Sequence, residues 1–351
     1  MNEDTLNALL GRFVGDLGAT IGAGSMVLGH RLGLYRALGQ GPATPAELVE
    51  RTETDQRYLI EWLRGQAAGG YVQRVEDADE ETYTLTEEQA FVLTDPDGPV
   101  YAPGAFVVAL GALRAEPRIT EAVRTGAGMG WHEHDGDVFS GCELFFRPGY
   151  IANLVPSWIP ALDGVEQKLV DGARVADVGC GLGASTVLLA QHYPASVLVG
   201  SDAHDGSIET ARKRAADAGV GERASFEVNG AATFAGSDYD LVTTFDCLHD
   251  MGDPVAAAAH IRSALTPDGT WMIVEPFAED DPAMNSNPVG RVYYNFGMFL
   301  CLPSARSQPG GYALGPQAGE AAIRRVVTDA GFTRFRRVAQ TPFNLVDEAR
   351  P

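Results

Sequence analysis

The run Val175-Ala-Asp177-Val-Gly179-Cys180-Gly181-Leu182-Gly183 sets three glycines directly after a hydrophobic strand and before a helix. Glycines at such a turn let the backbone approach a ligand closely and let strand and helix pack tightly. Asp202 follows the next hydrophobic strand, Val197 to Gly200. A carboxylate there can accept hydrogen bonds from both hydroxyls of a ribose. A later strand runs into Phe245-Asp246-Cys247-Leu248-His249-Asp250. His249 thus falls at the carboxyl edge of a sheet, and an imidazole of ordinary pKa (about 6.5) suits proton abstraction at neutral pH. The other polar cluster is Trp131-His132-Glu133-His134. Alternate histidines on one strand face could hold a metal with a third ligand. The expectation adopted is the plainer one, a lid segment lining the pocket with no metal.

A glycine turn followed by a ribose acid serves either a dinucleotide or S-adenosylmethionine. A dinucleotide needs GxGxxG to seat its pyrophosphate on a helix N-terminus. Here the loop is GCGLG just after Asp177. That acid suits the cationic amino group of a methionine moiety and would repel a pyrophosphate. Together with Phe245 to Asp250, and with Leu265-Thr-Pro267-Asp-Gly269 ahead of a strand, the motif order resembles that of class I S-adenosylmethionine-dependent methyltransferases. His249-Asp250-Met251-Gly252-Asp253-Pro254 looks like the LHDW-type segment of small-molecule O-methyltransferases. A leading winged helix, the Trp131–His134 run and Phe145 to Tyr150 are similar to a bacterial subgroup of winged-helix methyltransferases, some labelled transcriptional regulators.

The resemblance implies site roles. Asp177, Gly179 and Gly181, with Cys180 between them, take the methionine part, and Asp202 with Ala203 the ribose. Asn229, Gly230 and Ala231 lie by the adenine, and Asp246 and Cys247 near the sulfonium. His249 is the general base, with Glu275 and Asp250 as its acids. Tyr150 and Phe146 cover the cofactor, while Trp131, His132, His134, Tyr294 and Met298 line the lid and the acceptor pocket. Members of the family often carry an acid beside the adenine where this chain has Asn229-Gly230. The amide carbonyl can still accept a hydrogen bond from the adenine amine. The implied reaction moves a methyl group to an oxygen, nitrogen or carbon of a small, aromatic or secondary-metabolite acceptor and leaves S-adenosylhomocysteine.

These residues need elements to hold them. From about residue 170, strands (175–178, 197–200, 224–228, 239–244, 270–274) alternate with helices (184–192, 208–218), which implies a parallel doubly wound, Rossmann-like α/β sheet. Residues 333–339 and 343–348 read as a closing antiparallel hairpin. Ahead of them, residues 1–40 are helical and markedly apolar. Thr44-Pro45-Ala46-Glu47 opens one helix and Asp55 caps the next, which Gly69-Gly70 ends. Strands at 71–75 and 82–86 then complete a winged helix. The predicted division is 1–95, a mainly helical winged-helix dimerisation domain; 96–165, a helical linker and lid; and 166–351, the cofactor domain. The stretch from Pro303 to Gly319 reads as a loop over the site, and Ser304 to Gly311 as a candidate flap.

The totals narrow the partners. The 351 residues carry a formal charge of −21, a field that repels phosphate backbones and anionic lipids. Between residues 44 and 95, 13 acids stand against four bases, and a DNA reader needs exposed Lys and Arg. The expectation is a homodimer acting on a small molecule, with no nucleic acid and no membrane. Four scattered cysteines and an acidic start without a basic leader fit the cytoplasm. Two rivals remain open here: a winged-helix regulator that binds a small ligand, and a methyltransferase scaffold turned to a non-methylating reaction such as cyclisation.

Overall fold

The computed structural model describes residues 1–351, in two compact units. Residues 1–110 and 140–148 form the first; residues 111–139 and 149–351 form the second. The predicted linker, 96–165, is therefore shared between them.

The first unit begins with a long helix, Glu3–Arg31, whose end is capped by Asn2 (Thr5 N–H to Asn2 Oδ1, 3.0 Å). Acids in its first turn and basic groups in its last match the helix dipole. Helix Pro45–Thr52 opens with a capping box between Thr44 and Glu47, and Asp55 caps Gln56–Ala68 through the Arg57 and Tyr58 N–H groups. A two-stranded wing follows, β1 (Gln73–Val75) antiparallel to β2 (Thr82–Thr84). Both strands are shorter than their sequence pattern. Tyr71 N–H goes back to the Gln66 carbonyl at the helix end, and Val72 is buried in the core. The unit packs around Met26, Leu38, Leu48, Leu63, Trp62 and Tyr83.

The second unit holds a seven-stranded sheet in the order β5-β4-β3-β6-β7-β9-β8. Its strands are β3 (Arg174–Val178), β4 (Val197–Asp202), β5 (Ala224–Val228), β6 (Tyr239–Phe245), β7 (Leu265–Pro276), β8 (Arg334–Gln340) and β9 (Asn344–Arg350). Strands β3 to β7 are parallel, and β9 runs antiparallel to both β7 and β8. Helices Pro254–Ala264 and Gly319–Asp329 pack on one face through Ile261, Ile323, Val326, Trp271 and Ile273. The strand order reverses between β3 and β6. In open α/β sheets, that reversal leaves a crevice at the carboxyl ends of the strands.

Candidate functional site

The glycine turn leaves β3 with Gly179 (φ +75°) and Gly181 (φ +52°) in conformations that side chains rarely adopt. A Cβ on Gly179 would stand 2.7 Å from Cys247 Sγ, so glycine here lets the end of β6 close on the loop. At Gly181 a Cβ would meet nothing within 4 Å, so this side of the turn is open to a ligand. Asp202, ending β4, closes the cradle. Its two oxygens accept from the Gly181 and His204 N–H groups, each at 2.9 Å. Burial raises its pKa, and those two donors pull it back.

Asp177 does not open towards that cradle. Its carboxylate points into the protein and accepts from Ser185 Oγ (2.7 Å), Thr186 Oγ1 (2.5 Å) and Thr243 Oγ1 (2.9 Å). It ties β3 to β6 and to the following helix. Cys180 is likewise buried, and burial pushes its thiol pKa well up. Asn229 donates its N–H to the Asp202 carbonyl (3.0 Å), with exposed Gly230 and half-buried Ala231 after it and exposed Ala203 nearby along β4's end.

At the end of β6, Asp246 takes a left-handed backbone (φ +51°), a conformation of the kind that clusters at functional sites. Asn344 Nδ2 (3.1 Å) and the Tyr150 hydroxyl (3.5 Å) reach its carboxyl. Burial first, then the Glu275 charge, hold that carboxyl well above the usual range. Cys247 turns its thiol to the Val178 carbonyl.

His249 follows in a single 3₁₀ turn, Leu248–Asp250. Its Nδ1 lies 2.5 Å from Glu275 Oε2, and Glu275 Oε1 accepts the Leu248 N–H at 2.9 Å. Both side chains are buried. Burial alone would lower the histidine's pKa; the Glu275 carboxylate overrides this and holds it well above its ordinary value. Beside it, burial pushes the Asp250 carboxyl up to about 7. The structure thus brings His249 and Glu275 into contact, while Asp250 follows in the same turn with no hydrogen bond to the ring.

In the lid segment, Trp131–Glu133 is a 3₁₀ turn, so His132 and His134 do not share a strand face. His132 is exposed, whereas His134 is buried with both ring nitrogens unpartnered. Phe139, which the pattern did not flag, stacks on His204 (4.3 Å, 20°) and meets Trp131 at 5.9 Å, which lays this segment against the Asp202 turn. Phe146 belongs to the first unit, packed on Phe145. Tyr294 and Met298 are each 46% exposed. The 303–319 stretch is not a free flap. It starts as helix Leu302–Ser307 and is then bonded to the His249 turn.

Residues 176–271 match the family described as a methyltransferase domain, and residues 22–95 match an Rv2258c-like winged HTH domain. Residues 176–271 thus carry a methyltransferase domain, and residues 22–95 a winged-helix domain ahead of it in the chain. The methyltransferase domain is also similar to trans-aconitate 2-methyltransferase of Variovorax paradoxus, 34% identical over 116 residues, or 32% of this chain and 42% of that protein. This chain therefore spans less than half the length of that relative. Among solved structures, human N-acetylserotonin methyltransferase in complex with S-adenosylmethionine superposes with a TM-score of 0.72 at 15% identity, covering 97% of this chain and 96% of that one. The mitomycin 7-O-methyltransferase gives 0.69 at 20% identity over 99% and 100%. These likenesses extend the shared fold through both units.

Proposed function

We propose that this methyltransferase uses S-adenosylmethionine to methylate an oxygen, nitrogen or carbon nucleophile of a small acceptor, with His249 as general base. The observation that carries the reading is the His249–Glu275 pair at the carboxyl edge of the sheet, beside a glycine turn closed by Asp202. The donor set fits a cationic adenosyl ligand. Asp202, Asp246 and Asp250 are carboxyls whose ionised forms burial disfavours, and positive charge among them relieves that penalty. Gly181 leaves the space for close approach.

When bound, the sulfonium supplies an already activated methyl group. The chain's own task is to hold, orient and exclude water. Asp202 accepts from the ribose, Asp246 with Tyr150 faces the charged end, and the Trp131–Phe139 segment covers the Asp202 side. Glu275 fixes His249 through Nδ1 and leaves the other ring nitrogen to take the acceptor's proton. Since the Glu275 carboxylate raises the ring's pKa, the proton-removing step quickens as pH rises through that raised value. An aromatic acceptor is supported by the exposed Tyr294 and Met298. A homodimer is supported by the long first helix, whose Leu9, Phe13, Val14, Leu17 and Ile21 all stand in the open. Acidic charge on the winged helix argues against nucleic acid as partner, and no helix is long and apolar enough to cross a membrane. Four free thiols support a cytoplasmic setting.

Calorimetric titration with S-adenosylmethionine and S-adenosylhomocysteine, with NAD as control, tests the reading. Both sulfur ligands should bind and NAD should not. Binding of NAD alone, or of none, would overturn it. Mass spectrometry then shows whether acceptors gain a methylene.

A further inference from the structure

The hairpin that closes the sheet carries a second polar surface, at the edge away from His249. Strand β9 runs from Asn344, whose amide meets Asp246, to Arg350. At about 3.4 Å per residue, its far end lies about 20 Å from the crevice beside His249. Arg334 stands directly opposite Arg350 in the β8–β9 register, and Arg336 stands opposite Glu348. Residues paired in this way share one face of a sheet, so three guanidiniums and one carboxylate are gathered there.

That face lines a cavity of 840 Å³, a volume ordinary for a small-molecule pocket. Pro160, Leu162, Phe332 and Phe335 supply an apolar wall. Arg324, of helix Gly319–Asp329, lines the cavity too, 4.4 Å over the Phe335 ring, and its charge is answered by Glu320. The other three arginines are not answered one for one. Buried Glu348 holds both Arg336 (Nε to Oε2, 2.5 Å) and Arg350 (Nε to Oε1, 2.6 Å). Arg350 also donates to the Asp163 carbonyl, while the Asp163 side chain stands exposed on the rim. Arg336 keeps Nη1 unbonded, and Arg334 donates only to the Pro351 carbonyl, at 3.4 Å.

Like charges directly opposite on a sheet repel, and Arg334 faces Arg350. An anion between them turns that repulsion into attraction. The chain as a whole carries −21, a field that repels anions, so guanidiniums gathered on one face are a local exception to it. Glu348 takes one edge of each of two guanidinium forks and thereby orients the N–H groups that remain. We infer that this cavity binds the phosphate group of a small ligand, with Arg334 and Arg336 donating to its oxygens and Glu348 holding the row in place. A phosphate presents three outer oxygens and a greater charge than a carboxylate, and so uses several forks at once. The apolar wall receives whatever the phosphate is attached to. None of these residues bonds to the His249 turn, so the inference stands apart from methyl transfer.

The full chain is titrated calorimetrically with phenyl phosphate and with inorganic phosphate at fixed ionic strength. Saturable one-to-one binding is expected. Phenyl phosphate binding about fivefold or more tighter makes the ligand a phosphate ester seated on the apolar wall; equal binding makes it the free ion. Arg334→Gln with Arg336→Gln should weaken binding about tenfold or more. Arg334→Lys, which keeps the charge without the fork, should weaken it less than Arg334→Gln does. Arg124→Gln, at an exposed arginine of helix Glu116–Thr125, removes the same charge elsewhere and should leave binding unchanged. Thermal unfolding shows that each variant keeps its fold. If the double variant does not, exposed Arg334→Gln alone should still cost about threefold or more. No saturable binding of either probe, binding unchanged by the arginine variants, or an equal loss in Arg124→Gln would overturn the inference. S-adenosylmethionine titration of the same proteins reports on the crevice at the other edge, so the failure of one reading is distinguishable from the failure of the other.

Discussion

The two units treat buried polarity in opposite ways. In the first, the buried polar groups are neutral and paired: Tyr35 Oη donates to Gln66 Oε1 (2.6 Å), and Trp62 Nε1 donates to the Ser25 carbonyl (2.8 Å). Its acids stay at the surface, where Glu47 and Asp55 cap helices and Glu81 pairs with Arg64. In the second unit, carboxyls go inside. Asp177 is held by three hydroxyls, Asp246 by an amide and a phenol, and Glu275 by an imidazole and a backbone N–H. Burying a carboxyl is unfavourable unless it is bonded, so a fold keeps such groups where they are used. Asp347 on β9 breaks the rule. It is fully buried, neither oxygen has a partner, and burial pushes it up to about 7.

Substitutions can break or sharpen that contrast. The largest effect is expected at His249. His249→Asn should lower kcat/KM for the acceptor by about 10²–10⁴-fold and leave S-adenosylmethionine affinity within a few-fold. Retention of near wild-type turnover would remove it as the base. Next is the unused acid. With a folded pKa near 7, above its ordinary value of 3.8, Asp347 contributes its full stability only at low pH and loses it as pH rises from about 4 to 7. Asp347→Asn should therefore stabilise the protein by up to about 4 kcal/mol at pH 8 and hardly at all at pH 4, as read by urea unfolding. An equal change at both pH values would mean that the carboxyl is already solvated.

Smaller effects belong to the first unit. If the open face of helix Glu3–Arg31 meets a second copy, Phe13→Asp with Ile21→Asp should weaken association about 100-fold or more by light scattering and leave the monomer folded. A monomeric wild type would end the dimer proposal. Last, Asp55→Ala should cost about 1 kcal/mol through the lost cap, without altering ligand binding in the other unit. A change in ligand affinity would show that the two units are coupled in a way this contrast does not allow.

Much of this was open to inspection in the chain itself. Capping at Thr44 and Asp55, the glycine turn after β3, the strand–helix alternation and the closing hairpin all follow from patterns within a few residues. Local propensity and hydrogen bonding act over that distance. So did the choice of Asp202, His249 and Glu275, because each ends or follows a strand and the sheet's carboxyl edge is where such folds bind ligands. Local patterns did not show that His132 would stand exposed and His134 buried around one short turn. They also could not tell which way Asp177 would point. That carboxylate turned inward because Thr243, from the neighbouring strand, was there to receive it. Likewise, Tyr150 and Asn344 reach Asp246 from opposite sides of the chain, and Phe139 finds His204. Residues so distant in sequence have no shared period to reveal them. They meet only once the strand order is set, so the tertiary structure alone decided how His249 is held, while the sequence had already determined where it would stand.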